Sequence, residues 1–538
     1  MSKIAKYIGE INIYDIILSI IISASIVMMT RTHFGGSVWD MSDKTYMSSF
    51  GIPALILFIV CMFILIIVLP VLYKYLFFWI RQVSKKQLSC VNENIIIAIW
   101  GVIIFLSWTP YYLSYYPGGL YADTVSAISW ISSGYLTNRH PLLYTFLLSL
   151  PIKLSSMLGH DYNWAIALFT AFQMILLEIE FLYLVHWMLK RKINRVIRII
   201  CSLYFVLFPL IPLYAVSVWK DTPFCMAVLF WTLAYEDLLI DFRTNSIKKN
   251  TIMKFIIGMF FVSFTRNNGI YVVIVITIIL TLVAIREKAY HKWIISLLAS
   301  IIAIIIIQVP IYSLVGVEKT DTIESFGIPL QQIGAVVSYE GNISEEEKKE
   351  IDKFIPYDTI KDYYSPCLAD NLKWYGGLNN EYLSSNTLDF IKIWVELLVK
   401  NPRIYIKAYL LETLGFWNID VSTGDAYVQN FTWKSADKIV TQTDIFEKYA
   451  GFSFSHFVNP RHYISPACFF WIFFVSTFFA MKRYGRKACL PFLPFLGIWA
   501  TLMIATPIAV SFRYIAPLMF ALPLVILNLT LMERNLQN

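Results

Sequence analysis

The chain has 538 residues, of which 58% are hydrophobic, 16% aromatic and only 15% charged. A chain that apolar cannot hide its surface in water, and many of its apolar runs approach or exceed the length that crosses a bilayer, which excludes a soluble globular protein. The net charge of +8 comes from lysines and arginines scattered through short loops, the positive-inside pattern of a membrane protein and not the clustered patch of a nucleic-acid binder.

Apolar runs predict an all-α polytopic membrane protein with about twelve or thirteen transmembrane segments. They fall near Ile11–Met29, Ile52–Tyr73, Ile95–Leu113, Leu142–Leu158, Trp164–Leu189, Ile197–Val216, Phe224–Ile240, Ile252–Phe264, Ile270–Ile285, Trp293–Val315, Tyr463–Met481, Leu490–Thr506 and Tyr514–Leu531. The first run follows Lys3 and Lys6 without a small-residue cleavage site, so it reads as a retained helix. Two N-terminal helices and a basic loop (1–93) precede a membrane core (94–315), a long polar insert (316–461) and C-terminal helices (462–538). The basic loops are Lys74 to Lys86, Lys190 to Arg198, Arg243 to Lys254, Arg286 to Lys292 and Lys482 to Lys487. Placing them in the cytoplasm puts the 115–141 loop, the Trp219-Lys220-Asp221-Thr222-Pro223 turn and the insert on the other face. That requires Leu142–Leu158, which carries Pro151 and Lys153, to be short or re-entrant; a register error elsewhere is the competing explanation.

The loop 115–141 opens with a Pro-Gly-Gly turn, presents one carboxylate at Asp123, and closes on Asn138-Arg139-His140. A carboxylate at the membrane surface can act as a general base, taking a proton from an attacking hydroxyl. An Asp before Thr-Val-Ser-Ala-Ile is equally a good helix N-cap. Asp221 allows the same two readings, with Pro223 favouring a helix start and Lys220 snorkelling. Arg266, in FTRNNG, and Arg513, in SFRYIAPL, offer planar forks suited to a lipid phosphate, or else reach a headgroup from a helix end. Lys220 and Arg139 are further phosphate candidates. His140 can bind a phosphate or a sugar hydroxyl, or simply a neighbour. Most of the tryptophans and tyrosines near segment ends fit interfacial belts.

The insert is expected to be an extracytoplasmic, mainly helical piece resting on the membrane domain. Ser344-Glu345-Glu346-Glu347 reads as a capping box. Asn386 can cap a helix that Pro402 ends, and Arg403 to Trp417 repeats an apolar period. The seven cysteines show no disulfide framework or zinc spacing, and neither a P-loop, a dinucleotide fingerprint nor HExxH is present. No dedicated metal site and no cofactor are expected, while use of a divalent metal is left open.

The order of these features resembles the GT-C superfamily of integral-membrane glycosyltransferases. The blocks PGGLYADT, RHPLLYT, WKDTPF, TRNNG, IPLQQIGAVV (Ile328 to Val337) and FRYIAP resemble those of a bacterial multi-pass family within it whose own activity is inferred. The likeness covers most of the chain from about Ile95 onward. It implies a GT-C-like fold in a bacterial plasma membrane and an enzyme, inverting in stereochemistry on family grounds, that uses a polyprenyl-phosphate sugar as donor and a cell-envelope acceptor. Asp123 would carry the base role, Asp221 a supporting acid role, and Arg266 and Arg513 the phosphate side. Many such enzymes pair two acids in the first loop, whereas this loop offers Asp123 alone, which weakens a metal-assisted route. A transporter or flippase of a lipid-linked or polar solute is the alternative, expected to show ionisable groups in mid-helix and repeated halves. A third possibility is a scaffold whose insert recruits partners.

Overall fold

A computed structural model describes residues 11–35, 45–85, 92–244, 246–286, 291–421, 439–454, 465–506 and 508–537. Helices α1 (Ile13–Arg31), α2 (Ile52–Val83) and α3 (Glu93–Ser114) lead into the core. After strand β3 (Gly119–Leu120; β1 and β2, Thr32–His33 and Tyr46–Met47, form a small N-terminal pair) come α4 (Ala122–Ser133), α5 (Leu142–Met157), α6 (Tyr162–Lys190), α7 (Arg195–Leu207) and α8 (Leu210–Ala215). Strand β4 (Ser217–Val218) then precedes α9 (Asp221–Arg243), α10 (Lys249–Thr265), α11 (Gly269–Arg286) and α12 (His291–Ile306).

Eight helices among the described residues are long and apolar enough to cross a membrane, which identifies a multi-pass membrane protein. That is fewer than the twelve or thirteen expected from hydropathy. Proline is one reason: Pro209 and Pro212 split the run Ile197–Val216 into α7 and α8, and Pro517 and Pro523 break the last run into short pieces. Others are shorter, as α10 is at 17 residues, or charged at one end, as Pro466–Tyr484 is by Lys482 and Arg483.

Side-chain ties gather three of the basic loops, 74–86, 190–198 and 482–487, at one end of the bundle. Lys482 pairs with Asp15 at 2.6 Å, and Arg534 donates to the carbonyls of Ser84, Arg191 and Lys192. The 286–292 loop lies partly outside the described residues. The opposite end collects the 115–141 loop, the 217–222 turn, Arg266, Arg513 and the insert. Helix α5 reconciles this arrangement with the chain path. Its 16 residues reach only about 24 Å, short of a hydrocarbon core of roughly 30 Å. It doubles back on α6: Tyr144 packs edge-on against Phe169, and Leu148 and Ile152 share a cluster with Ala165 and Ile166. Tyr162 at the start of α6 hydrogen-bonds Ser132 at the end of α4. Both ends of α5 therefore stay near the 115–141 loop, as the short reading required.

The insert has its own core, built on Ile333, Val336, Phe354, Leu372, Phe390, Leu397 and Tyr405. Ser344 forms the expected capping box with Glu347, and Pro402 opens the helix Pro402–Glu412 right after Thr387–Lys400 ends. Asn386 occupies the cap position of the latter, yet its side chain makes no cap bond there and turns back to Tyr382. The insert is fastened to the bundle by backbone. Thr137 bridges Glu318, Leu368 bridges Ile508, and the Ala509 N–H donates to Cys367 while its carbonyl accepts from Gly415. Residues 422–438 and the boundary near Arg461 lie outside the described residues.

Gly118, just ahead of β3, is required both by its backbone angle and by close approach. Gly118 has φ of +143°, and a Cβ there would sit 2.3 Å from Thr170 Oγ1 and 3.3 Å from the Val216 carbonyl. Gly118→Ala is expected to cost about 1–3 kcal/mol by strain and overpacking, read as a lowered thermal unfolding midpoint of the detergent-solubilised protein. An unchanged midpoint would contradict it.

Candidate functional site

The two loops carrying Asp123 and Asp221 are joined at the backbone. β3 and β4 pair in parallel, Gly119 against Ser217 and Leu120 against Val218. Thr124 Oγ1 and the Tyr144 hydroxyl both donate to the Val218 carbonyl. From α6, Gln173 Nε2 donates to the carbonyls of Ala215 and Ser217, each at 2.9 Å, which leaves β4 few unpaired groups in an otherwise apolar surround. The positions of the two acids thus follow from main-chain geometry.

Neither acid caps its helix. Tyr121 is the N-cap of α4 and Asp123 lies one position inside it; Lys220 is the N-cap of α9 and Asp221 is its first residue; no side chain makes a cap bond at either start. Their carboxylates are drawn instead to cations. Asp123 Oδ2 accepts from Arg513 Nη1 at 2.8 Å and from Trp219 Nε1 at 3.3 Å, and lies 3.0 Å from Lys220 Nζ. Its other oxygen, Oδ1, stands 4.0 Å from His140 Nε2. Lys220 Nζ is also 2.9 Å from His140 Nδ1. Trp219 stacks on Tyr121 with centroids 3.9 Å apart, and Arg513 lies over the Trp219 ring at 4.9 Å.

Asp221 belongs to a layer behind this one. Its side chain is 1% exposed, against 22% for Asp123, and its Oδ1 accepts from Arg266 Nη1 at 2.6 Å. The guanidinium groups of Arg266 and Arg513 each lie 4.8 Å from the centre of the Tyr514 ring, so that one ring joins the two ion pairs. Arg139 is not brought into the cluster: it is 41% exposed and pairs with Asp321 of the insert at 2.9 Å. The Arg513 loop itself is held by the insert through Cys367, Gly415 and Phe416, the last packing on Tyr514.

Charge sets the protonation states. Burial pushes the Asp123 carboxyl up, but Lys220, Arg513 and His140 together hold it well below the ordinary 3.8. Burial and the neighbouring Lys220 lower His140 from 6.5 to about 3, so its ring is neutral at physiological pH. Between pH 6.5 and 3 the unfolded chain binds a proton at His140 that the folded chain does not, so stability falls as pH drops through that window. Asp123 adds a loss only below 3.8, as pH falls toward its folded value. Thermal unfolding midpoints at about pH 7 and about pH 4 should therefore drop more for the natural protein than for His140→Gln. Equal drops would remove His140 from the acid response.

Sequence reasoning passed over Trp219, Tyr121, Tyr514 and Gln173. The three aromatics carried the same signal as every interfacial ring, and only their adjacency to Lys220, Asp123 and Arg513 marked them out. Among the described residues no group of three or more His, Cys, Asp or Glu side chains is placed to hold a metal ion. Beside the polar cluster lies an apolar groove of about 540 Å³ walled by Trp130, Phe146, Phe260, Phe261, Phe264 and Tyr312. Its Trp130 ring packs on His140 at 4.8 Å.

The chain belongs to a family of unknown function, DUF6020, whose model matches residues 130–538. Arg139, His140, Lys220, Asp221, Arg266 and Arg513 fall inside the match, while Tyr121 and Asp123 lie just ahead of it. No curated protein and no solved structure compared with the chain matches it.

Proposed function

We propose that this protein is a membrane glycosyltransferase of GT-C type that moves a sugar from a polyprenyl-phosphate carrier to a hydroxyl of a cell-envelope acceptor. We assign the reaction to the extracytoplasmic face of a bacterial plasma membrane, a reading supported by the meeting of the basic loops 74–86 and 190–198 at the opposite end of the bundle. The observation that carries the reading is the partly exposed Asp123 carboxylate held by Lys220 and Arg513 next to an apolar groove. A lipid-linked phosphate needs cations for its head and apolar walls for its chain.

In this mechanism the acceptor oxygen attacks the anomeric carbon and the bond from that carbon to the phosphate oxygen breaks. The bonding pair leaves on the phosphate, where Lys220 and Arg513 meet the growing negative charge. The hydroxyl proton passes to Asp123. A carboxylate paired with two cations is a weak base, but a phosphate that draws those cations away leaves burial as the main influence on it, and burial raises its proton affinity. Asp221 acts through Arg266, holding it beside Tyr514, and does not itself touch the substrate.

The test is an assay of the purified protein in nanodiscs with undecaprenyl-phosphate hexose, N-acetylhexosamine and pentose donors. Cleavage of the sugar–phosphate bond with at least one donor is expected. Intact donors throughout would sink the reading. One observation favours a transporter instead: Glu180, midway along α6, is buried with neither carboxylate oxygen hydrogen-bonded, an exception to the crowding of charge at helix ends. Solute uptake by proteoliposomes that is lost in Glu180→Gln, with no donor cleaved, would decide for transport.

A further inference from the structure

The two oxygens of Asp123 are used unequally. Oδ2 is surrounded by Arg513, Lys220 and Trp219, while Oδ1 faces His140 Nε2 across 4.0 Å. That gap is too long for a direct hydrogen bond. The tautomer of His140 follows from its other neighbour. A lysine ammonium has donors only, so Nδ1, 2.9 Å from Lys220 Nζ, must be the acceptor, and the ring proton of a neutral imidazole then sits on Nε2. That Nε2–H is buried and has no hydrogen-bond partner. An unused buried donor is costly unless something comes to it.

An unused donor and a free carboxylate oxygen that face each other describe one ligand atom. It must accept from nitrogen and donate to oxygen, and an alcohol hydroxyl does both. An oxygen about 2.8 Å from each would close the 4.0 Å gap with an angle near 90° at that oxygen. We propose that Asp123 Oδ1 and His140 Nε2 form a subsite for a single hydroxyl group, the attacking hydroxyl of the acceptor. The proposal rests on the glycosyl-transfer reading for the identity of that hydroxyl, though the subsite itself does not depend on it. His140 Nε2–H donates to a lone pair of the hydroxyl oxygen and turns the hydroxyl proton toward Asp123, which accepts that proton as the new glycosidic bond forms. Phosphate is excluded from this position because it would bring negative charge against Oδ1, whereas Lys220 and Arg513 approach the carboxylate from the Oδ2 side.

The test uses the full chain in nanodiscs and two readouts. High-resolution cryo-electron microscopy in molar glycerol should show a glycerol or water oxygen within hydrogen-bond distance of both His140 Nε2 and Asp123 Oδ1, absent in His140→Phe. A direct bond between the two side chains, or a protein atom filling the gap, overturns the subsite. The second readout is hydrolysis of undecaprenyl-phosphate hexose, with water as the hydroxyl donor. His140→Phe should lower kcat at least tenfold with the KM for the donor unchanged. His140→Gln, which keeps a side-chain N–H, should recover to within threefold. Equal losses in both variants, or a raised donor KM, would assign His140 a structural or phosphate-side role. If no donor is cleaved by the natural protein, the transfer reading fails while the maps still decide the subsite.

Discussion

Asp123→Asn is expected to lower sugar transfer by about 10²–10⁴-fold in kcat, the usual worth of a positioned general base. The substitution keeps the shape of the side chain and removes only its charge and its capacity to take a proton. Lys220 and Arg513 lose their shared carboxylate, so both become freer to meet a phosphate. The KM for the donor should therefore stay level or fall while kcat collapses, a split that general misfolding does not produce. Asp123→Glu offers a second check, since it restores a carboxylate one methylene out of place and should recover part of the rate. Transfer by Asp123→Asn within about threefold of the natural protein would take the base role from this residue.

Arg266→Ala is expected to destabilise the fold by about 3–5 kcal/mol, because truncating one partner of a buried pair leaves the other charge uncompensated. Asp221 is 1% exposed, with Arg266 on one oxygen and no hydrogen bond to the other, so it has no route to water when the arginine is removed. The companion variant Asp221→Leu with Arg266→Leu removes both charges and should regain most of the loss. Thermal unfolding in detergent, followed by the monodisperse fraction, measures both. A double variant no better than Arg266→Ala would mean that packing over Phe224 and Tyr514, and not the ion pair, carries the stability.

Local signals made much of this molecule legible. Long apolar runs located membrane helices, and three of the basic loops between them, 74–86, 190–198 and 482–487, meet at one end of the bundle, because both signals depend only on neighbouring residues. The capping box at Ser344 and the break at Pro402 were equally local. Counting spans failed where length alone misleads, as at Pro209 and Pro212, where a run long enough to cross is divided into two helices. The capping readings of Asp123 and Asp221 failed for another reason. Each residue has the right chemistry for a cap, but each sits inside its helix and a distant cation takes its oxygen.

The composition and pattern of the chain were by themselves sufficient to establish a multi-pass helical protein, to pick out Asp123, Lys220, Asp221, Arg266, Arg513, Arg139 and His140 as candidates, and to favour a short or re-entrant α5 over a register error elsewhere. Which of them meet was settled only in three dimensions. Asp123 and Arg513 are separated by 390 positions, and no local rule pairs them. Their contact depends on a two-residue parallel bridge, a glutamine reaching from α6, and an insert that carries the Arg513 loop into place. The same packing sent Arg139 outward to Asp321 and set Asp221 behind the first acid. Sequence supplies the kinds of groups, whereas distances of a few ångströms between charges, which decide electrostatic energy, arise only when the whole chain is folded.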